Sequence, residues 1–479
     1  MTLSRRHLIG AAATGAALLG LSRYADAAAA AGDGYVNEVH GYGPLKPDPD
    51  KLFDLPEGFS YTVVQRAGDP MSDGLVVPRN MDGMGCFPLG GDRVALVRNH
   101  ELSPRHMDFG AFGEGHKLAG KIDAKLAYDR NQNGKVLPGG TTTLIYDVRG
   151  KRVEESYLSL AGSSTNCSGG ITPWSSWLTC EEIVRSPGPN IDTHALEKSH
   201  GWVFEVPAAK KGLAAPTPIM GMGRFKHEAV AIDPRTGIAY LTEDESDGKG
   251  LFYRFLPVDR RSPHKGGRLQ ALGFRDSAGK GGGDSRNWDG VDWTAGQWRD
   301  AVWVDLDGVD NPHDDLRKRG HAKGAAWFAR GEGIVFGEGE FYFTCTTGGP
   351  NQLGQILRYR PSRFEGDPRE AGEPGRLQLF VQPTDPQVMK MCDNLVVSPS
   401  GHLIVCEDKG VQDGGDYLRG VTPDGKIYAL GRLPLEAGAA STTELAGVCF
   451  SPDGATLFVN SYWPGVTLAI TGPWSSFRA

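Results

Sequence analysis

"EAVAIDPRTGIAYLTEDE", residues 228–245, reads as two apolar strands joined by a tight turn and closed by a run of carboxylates. Proline and glycine in the middle supply the turn, because proline presets φ and glycine accepts the backbone angles that tight turns require. The β-branched and aromatic residues on either side favour strands over helix. The pattern recurs at "DGMGCFPLGGDRVALVRNHE" (82–101), "CSGGITPWSSWLTCEE" (167–182), "EGIVFGEGEFYFTCTTGG" (332–349), "DNLVVSPSGHLIVCED" (393–408) and "ELAGVCFSPDGATLFVNSYW" (444–463). Six copies of one hairpin predict an all-β chain, a six-bladed β-propeller in which each copy supplies the inner strands of a blade. The irregular intervals place insertions in loops and outer strands, and "GKGGGDSRNWDG" (279–290) has the composition of such a loop.

Aligned on the turn, five copies carry a potential ligand six residues before the turn proline or its equivalent: Asp82, Cys167, Glu228, Glu332 and Asp393. The sixth copy slips by two residues and offers Glu444. The second strands end in Asn99-His100-Glu101, Glu181-Glu182, Glu243-Asp244-Glu245, Glu407-Asp408 and Asn460, while the fourth ends in Thr346-Thr347. A hairpin brings the start of its first strand and the end of its second to the same end. The inner strands line the central channel, so these positions converge on one mouth of it. So many anions in one place are prohibitive without bound cations. A multinuclear metal site is therefore expected. Carboxylates and amides suit a hard cation such as Ca²⁺. A thiolate at Cys167 would add a softer ligand, with iron a candidate. Cys180 and Cys406 precede acids on alternating strand positions and are expected to face away and pack.

The rest of the chain sets bounds. A net charge of −7 over 479 residues argues against a general nucleic-acid surface. Glycine (67) and proline (31) are abundant, which favours tight turns and short strands. Seven cysteines leave at least one unpaired in an exported protein, and none has CxxC spacing. The N-terminus places Arg5 and Arg6 before a short Gly/Ala-rich apolar run and the small-x-small site Ala25-Asp26-Ala27. It is similar to a twin-arginine export signal, with Leu8 where phenylalanine is usual, and the run is too short for a stable membrane anchor. The expectation is a signal over residues 1–27, export by the twin-arginine machinery to the periplasm or beyond, and one domain over 35–479.

"NCSGGITPWSSWLTCEE", "GRFKHEAVAIDP…AYLTEDES", "DNLVVSPSGHLIVCED" and "ELAGVCFSPDGATLFVN", in that order, resemble the PhoX alkaline phosphatases over about residues 90 to 465. The resemblance implies a six-bladed propeller, twin-arginine export, and hydrolysis of small-molecule phosphate monoesters at a site combining Fe³⁺ and Ca²⁺, with a metal-bound oxide or hydroxide as nucleophile. It implies an iron ligand at Cys167. Carried over with the hairpin reading, the candidate ligands are Glu101, Cys167, Glu181, Glu182, Glu228, Glu243, Asp244, Glu332, Asp393, Asn394, Glu407, Asp408 and Glu444. Cys167, Glu228, Glu332 and Arg224 are the candidate catalytic residues, with Arg224, Lys226 and His227 as sources of positive charge near the leaving group. His100 is a ligand or supporting residue on this reading. Two departures from the family pattern stand out: Ile183 follows "CEE" where asparagine is common, and "WSS" (174–176) replaces "WGT". Phosphodiester hydrolysis on the same metals, a propeller lactonase, and a non-catalytic calcium-binding propeller are the competing readings.

Overall fold

A computed structural model describes residues 34–131, 133–188, 196–277, 282–409, 415–434 and 444–479. The export signal expected at 1–27 and part of the 279–290 loop lie outside the described residues. Each sequence copy forms an antiparallel hairpin. The pairs are Met81–Gly90 with Arg93–His100, Asn166–Ile171 with Ser176–Glu181, and His227–Ile232 with Ala239–Glu243. Gly331–Gly337 with Glu340–Cys345, Cys392–Val397 with Leu403–Glu407, and Leu445–Phe450 with Thr456–Ser461 complete the set. The first strands pack side by side in a closed ring, each against the next and the last against the first. Further antiparallel strands fan outward from them, which makes a propeller-like, all-β arrangement.

Among the described residues the sheets are three of four strands, one of three, one of nine and a two-stranded ribbon. The nine-stranded sheet holds two hairpins, because Trp298–Asp305 pairs with Gly267–Phe274 on one side and Arg376–Val381 on the other. Closure comes from the N-terminal strand Ser60–Arg66, which pairs with Val466–Thr471 and completes the sheet of the last hairpin. Apolar side chains pack between neighbouring sheets. Within the folded nine-stranded sheet, Phe252, on the strand after the third hairpin, stacks on Phe343 of the fourth at 4.3 Å, and between sheets Met84, Leu96 and Leu144 meet Cys449, Phe458 and Ala469 where the ring closes. Fully burying each large side chain contributes about 1.5–3 kcal/mol. All seven cysteines are buried and free, and Cys180 and Cys406 sit in these cores.

Every first strand breaks register at its start, between Met81 and Met84, Asn166 and Gly169, His227 and Val230, Gly331 and Ile334, Cys392 and Leu395, and Ala446 and Cys449. A β-bulge bends its strand and re-aims a side chain. In five hairpins the first bulged residue is the aligned ligand position: Asp82, Cys167, Glu228, Glu332 and Asp393. The second is small or polar because neighbouring strands come close there. A β-carbon on Gly83 would lie 2.5 Å from Ser168 Cα, and one on Gly333 would lie 2.8 Å from Asn394 Cα.

Candidate metal centre

The six hairpins deliver three tiers of side chains to one end of the channel. The bulge tier is Asp82, Cys167, Glu228, Glu332 and Asp393, while the sixth hairpin has Gly447 and Val448 in its bulge and places no ligand there. Two residues earlier stand Asn80, Thr165, Lys226, Arg330 and Met391, and Glu444 stands three residues before the sixth bulge. Their carbonyls accept from the backbone N–H of Glu101, Glu182, Asp244, Thr346, Asp408 and Tyr462, at 2.9–3.2 Å in all six hairpins. This explains the slip in the sixth copy: Glu444 occupies the pre-strand tier, directly before Leu445–Phe450, and not the bulge. Asp82, Glu228, Glu332 and Asp393 are buried, whereas Glu101, Glu182, Asp408 and Glu444 are half-buried, so the mouth opens from the bulge tier outward.

Nine carboxylates gather here: Asp82, Glu101, Glu182, Glu228, Asp244, Glu332, Asp393, Asp408 and Glu444. Ligand atoms of Cys167, Glu182 and Glu228 lie within 4.8 Å of one another, as do those of Glu228, Glu332 and Asp393. Glu228 belongs to both groups, so two adjacent cations could share it.

The electrostatics state the same need. Burial, followed by Glu101 and Asp393, pushes the Asp82 carboxyl well above the usual range. Burial pushes Glu228 up, and Glu332, Asp393 and Glu182 add to it. Glu182, Glu332 and Glu444 are raised by burial and by neighbouring acids in the same way. Burial lifts Glu101 and Asp393 to about 7. The Cys167 thiol is raised by burial and then by Glu228, Glu182 and Asp82, and its Sγ lies 3.2 Å from the His227 carbonyl. Protons or cations must hold these groups together, and an oxygen-rich donor set with one thiol fits hard cations beside a softer one.

The acid doublets divide their work. Glu182, Asp244 and Asp408 enter the mouth; their neighbours Glu181, Glu243 and Glu407 are engaged elsewhere, because adjacent strand residues face opposite sides. Glu181 accepts from Ser164, Gly201 and Trp202 N–H and lies 2.7 Å from His200 Nδ1, with Asp129 on the other ring nitrogen at 3.0 Å. Glu243 accepts from Leu251 N–H and the Tyr253 hydroxyl. Glu407 accepts from Arg419, Lys390 and Tyr417, and pairs with Lys409.

The expected cations differ as well. The Arg224 guanidinium donates to the carbonyls of Asp310, Asn311 and Arg185, clamping neighbouring loops rather than facing the acids. His227 bonds to the Gly223 carbonyl and stacks on Phe225, and burial lowers its pKa to about 3. His100 donates from Nδ1 to the Arg79 carbonyl and meets Thr142 at Nε2. Lys226 reaches the mouth but pairs with Glu245. Asn394 accepts from Gly447 N–H and donates to Asp393, so its amide links neighbouring hairpins. Asn460 does likewise, donating to the Asp82 carbonyl; Asn99 donates to the Cys167 carbonyl and Thr344 to that of Asp393. The backbone of the bulge tier is thus held from the preceding hairpin.

Two mouth residues are invisible to an acid-and-cysteine reading. Arg330 makes a bidentate pair with Asp244 at 2.9 and 2.7 Å and reaches Glu332 at 2.8 Å. It sits in the fourth hairpin, whose second strand lacks an acid, and adopts a left-handed φ of 55°. Tyr462 takes the sixth exit position and meets Asn80 Nδ2 at 2.6 Å. The only sequence signal for either is the tier spacing, two residues before a bulge or one past a strand end. Beyond the bulge tier the channel turns apolar: a cavity of about 360 Å³ is lined by Ile171, Val230, Ile334, Phe336, Leu395 and Val448.

A family model described as alkaline phosphatase PhoX matches residues 40–465. Among solved structures, PhoX of Pseudomonas fluorescens in complex with vanadate, a transition state analogue, is 19% identical, with a TM-score of 0.63, covering 92% of this chain and 99% of that one. The periplasmic gluconolactonase of Pseudomonas aeruginosa is 14% identical with a TM-score of 0.40, covering 88% of this chain and 94% of its own. A putative 6-phosphogluconolactonase from Bacteroides uniformis is 12% identical with a TM-score of 0.37, covering 85% and 88%. No curated protein sequence matches the chain.

Proposed function

The chain belongs to the PhoX family of alkaline phosphatases, and on that premise we propose that it hydrolyses phosphate monoesters at the three-tiered mouth. The observation that carries this reading is the pair of ligand groups sharing Glu228, Cys167–Glu182–Glu228 and Glu228–Glu332–Asp393. The ligands proposed are the bulge tier with Cys167, together with Glu101, Glu182, Asp244, Asp408 and Glu444. Glu181, Glu243, Glu407 and Asn394 are positioning residues around them, and Arg224 holds loops in place. Ca²⁺ at the carboxylates and Fe³⁺ toward Cys167 suit the donor types. Such cations, when bound, supply Lewis acidity that activates water and neutralises charge on the phosphoryl oxygens.

The chain's own residues do the rest. Arg330 is the guanidinium inside the acid ring, and its fork suits a phosphoryl oxygen once cations take over Asp244 and Glu332. The buried bulge tier excludes bulk water from the inner side, so the ester enters from the open acid end. Ring packing of all six first strands supports a count of six blades, with the nine-stranded sheet read as two blades joined at their outer strands. Twin-arginine export of the folded chain to the periplasm follows from residues 1–27 and belongs to the same reading.

The test is p-nitrophenyl phosphate hydrolysis by the mature chain, before and after chelation and with calcium restored. Activity should fall with chelator and return with calcium. Inactivity in protein shown to hold both iron and calcium would sink the proposal. Cys167→Ser should lose iron and activity while its circular dichroism is unchanged. Equal activity at equal metal content would remove the cysteine from the ligand set.

A further inference from the structure

Building on the phosphatase reading, we propose that Arg79 forms a second anion subsite at the rim, selecting phosphate esters whose leaving group carries another anionic group, a carboxylate or a further phosphate. Arg79 stands three residues before Asp82, so the two Cα atoms are at most about 10–11 Å apart. Its guanidinium lies over the Phe109 ring at 4.6 Å and the Trp463 ring at 5.1 Å. These three segments all leave the acid end of the ring. Trp463 follows Tyr462, Phe109 closes the 3₁₀ segment Pro104–Phe109 that follows Glu101, and Arg79 precedes the first hairpin. The Arg79 backbone is fixed at both ends, its N–H donating to the Phe109 carbonyl at 3.0 Å and its carbonyl accepting from His100 Nδ1 at 3.0 Å. Asn80 next to it donates to the Glu101 carbonyl and to Tyr462.

Charge makes this residue unlike its neighbours. The other cations at the mouth are engaged: Arg330 with Asp244 and Glu332, and Lys226 and Arg317 both with Glu245. Among the described residues, no carboxylate pairs with Arg79 and no acceptor meets its guanidinium. Contact with ring faces orders a guanidinium without consuming its N–H donors, which remain available to a carboxylate or phosphate. Arg79 lies one residue farther out than the tier that contains Arg330, and it does not pair with the acid ring. It therefore serves the leaving-group side of the ester rather than the scissile phosphate. Phe109, 38% exposed and stacked on His106, supplies an apolar wall beside it for the body of that group.

The test is calorimetric titration of the metal-loaded mature chain with two phosphonates that resist hydrolysis, phenylphosphonate and 4-phosphonobenzoate. They share a ring and differ by one carboxylate. The wild-type chain should bind 4-phosphonobenzoate about tenfold more tightly, a difference typical of one charge-assisted pair. Arg79→Ala should erase that preference and Arg79→Lys should keep part of it. Equal affinities in the wild type, a preference that survives Arg79→Ala, an equal loss on both ligands in that variant, or no binding of either by the wild type would each overturn the subsite. Turnover of p-nitrophenyl phosphate, measured alongside, judges the phosphatase reading separately. A preserved preference without turnover would defeat that reading and leave the anion subsite standing.

Discussion

Glu181 and Glu182 are adjacent in the chain and opposite in role. Glu182 shares a ligand group with Cys167 and Glu228, whereas Glu181 is buried against His200, whose pKa it helps raise to about 9 despite burial. Glu182→Gln should therefore lower metal content and activity, with little change in the melting temperature of the metal-free chain. Glu181→Gln removes one partner of a buried charge pair, a change that costs about 3–5 kcal/mol, while the mouth keeps its ligands. Thermal unfolding and metal analysis of the two variants separate the roles, and a Glu181→Gln chain that melts like wild type would refute the division. Strand alternation says that only one acid of each doublet reaches the mouth, but it does not say which. That choice is made by a partner on the next strand or loop, here His200 for Glu181, Tyr253 for Glu243 and Arg419 for Glu407, which no local spacing identifies. The place of Arg224 is likewise set by partners no local pattern marks, because its acceptors lie on loops near residues 185 and 310.

At the level of the hairpin, the turns and strands follow from composition, but the bulge does not. One extra residue in a short strand changes no apolar pattern enough to be seen. A small or polar residue after the ligand is the physical mark, and at Gly83 and Gly333 the next strand passes where a β-carbon would lie. In Gly333→Ala the new methyl meets Asn394 Cα at 2.8 Å and the Asp393 carbonyl at 2.9 Å, both backbone atoms. The fourth and fifth hairpins must move apart. Overpacking of this kind costs about 1–3 kcal/mol. It also displaces Glu332 and Asp393, so metal affinity should fall with stability. Gly90→Ala is the comparison: its φ of 90° strains an alanine, yet no atom lies within 4 Å of the added carbon. That variant should lose about 1 kcal/mol with metal affinity intact. A Gly333→Ala chain with unchanged metal affinity would show that the bulge does not set ligand position.

Across the whole molecule, ring closure and charge oppose each other. Six hairpins are legible in the chain, but the strand that locks them, Ser60–Arg66, is not, because its partner Val466–Thr471 lies at the other terminus and no turn marks the pairing. The closed ring then forces nine carboxylates into one mouth with Arg330 bonded among them. Glu101 and Asp393 are both held up to about 7, against about 4 in an unfolded chain, so the native state binds the extra protons between those values. Stability therefore falls as pH rises through that window, by as much as about 1.4 kcal/mol per pH unit for each group. Asp82, Glu228 and Glu332 are raised in the same direction and add to the decline. Bound cations reverse it by binding the ionised form and stabilising the native state through mass action. With a chelator present, the melting temperature should be lower at pH 8 than at pH 5.5, and added calcium should raise it more at pH 8. Equal melting temperatures at the two pH values without metal, or a calcium effect larger at pH 5.5, would mean that the acid ring is not held apart by its own charge.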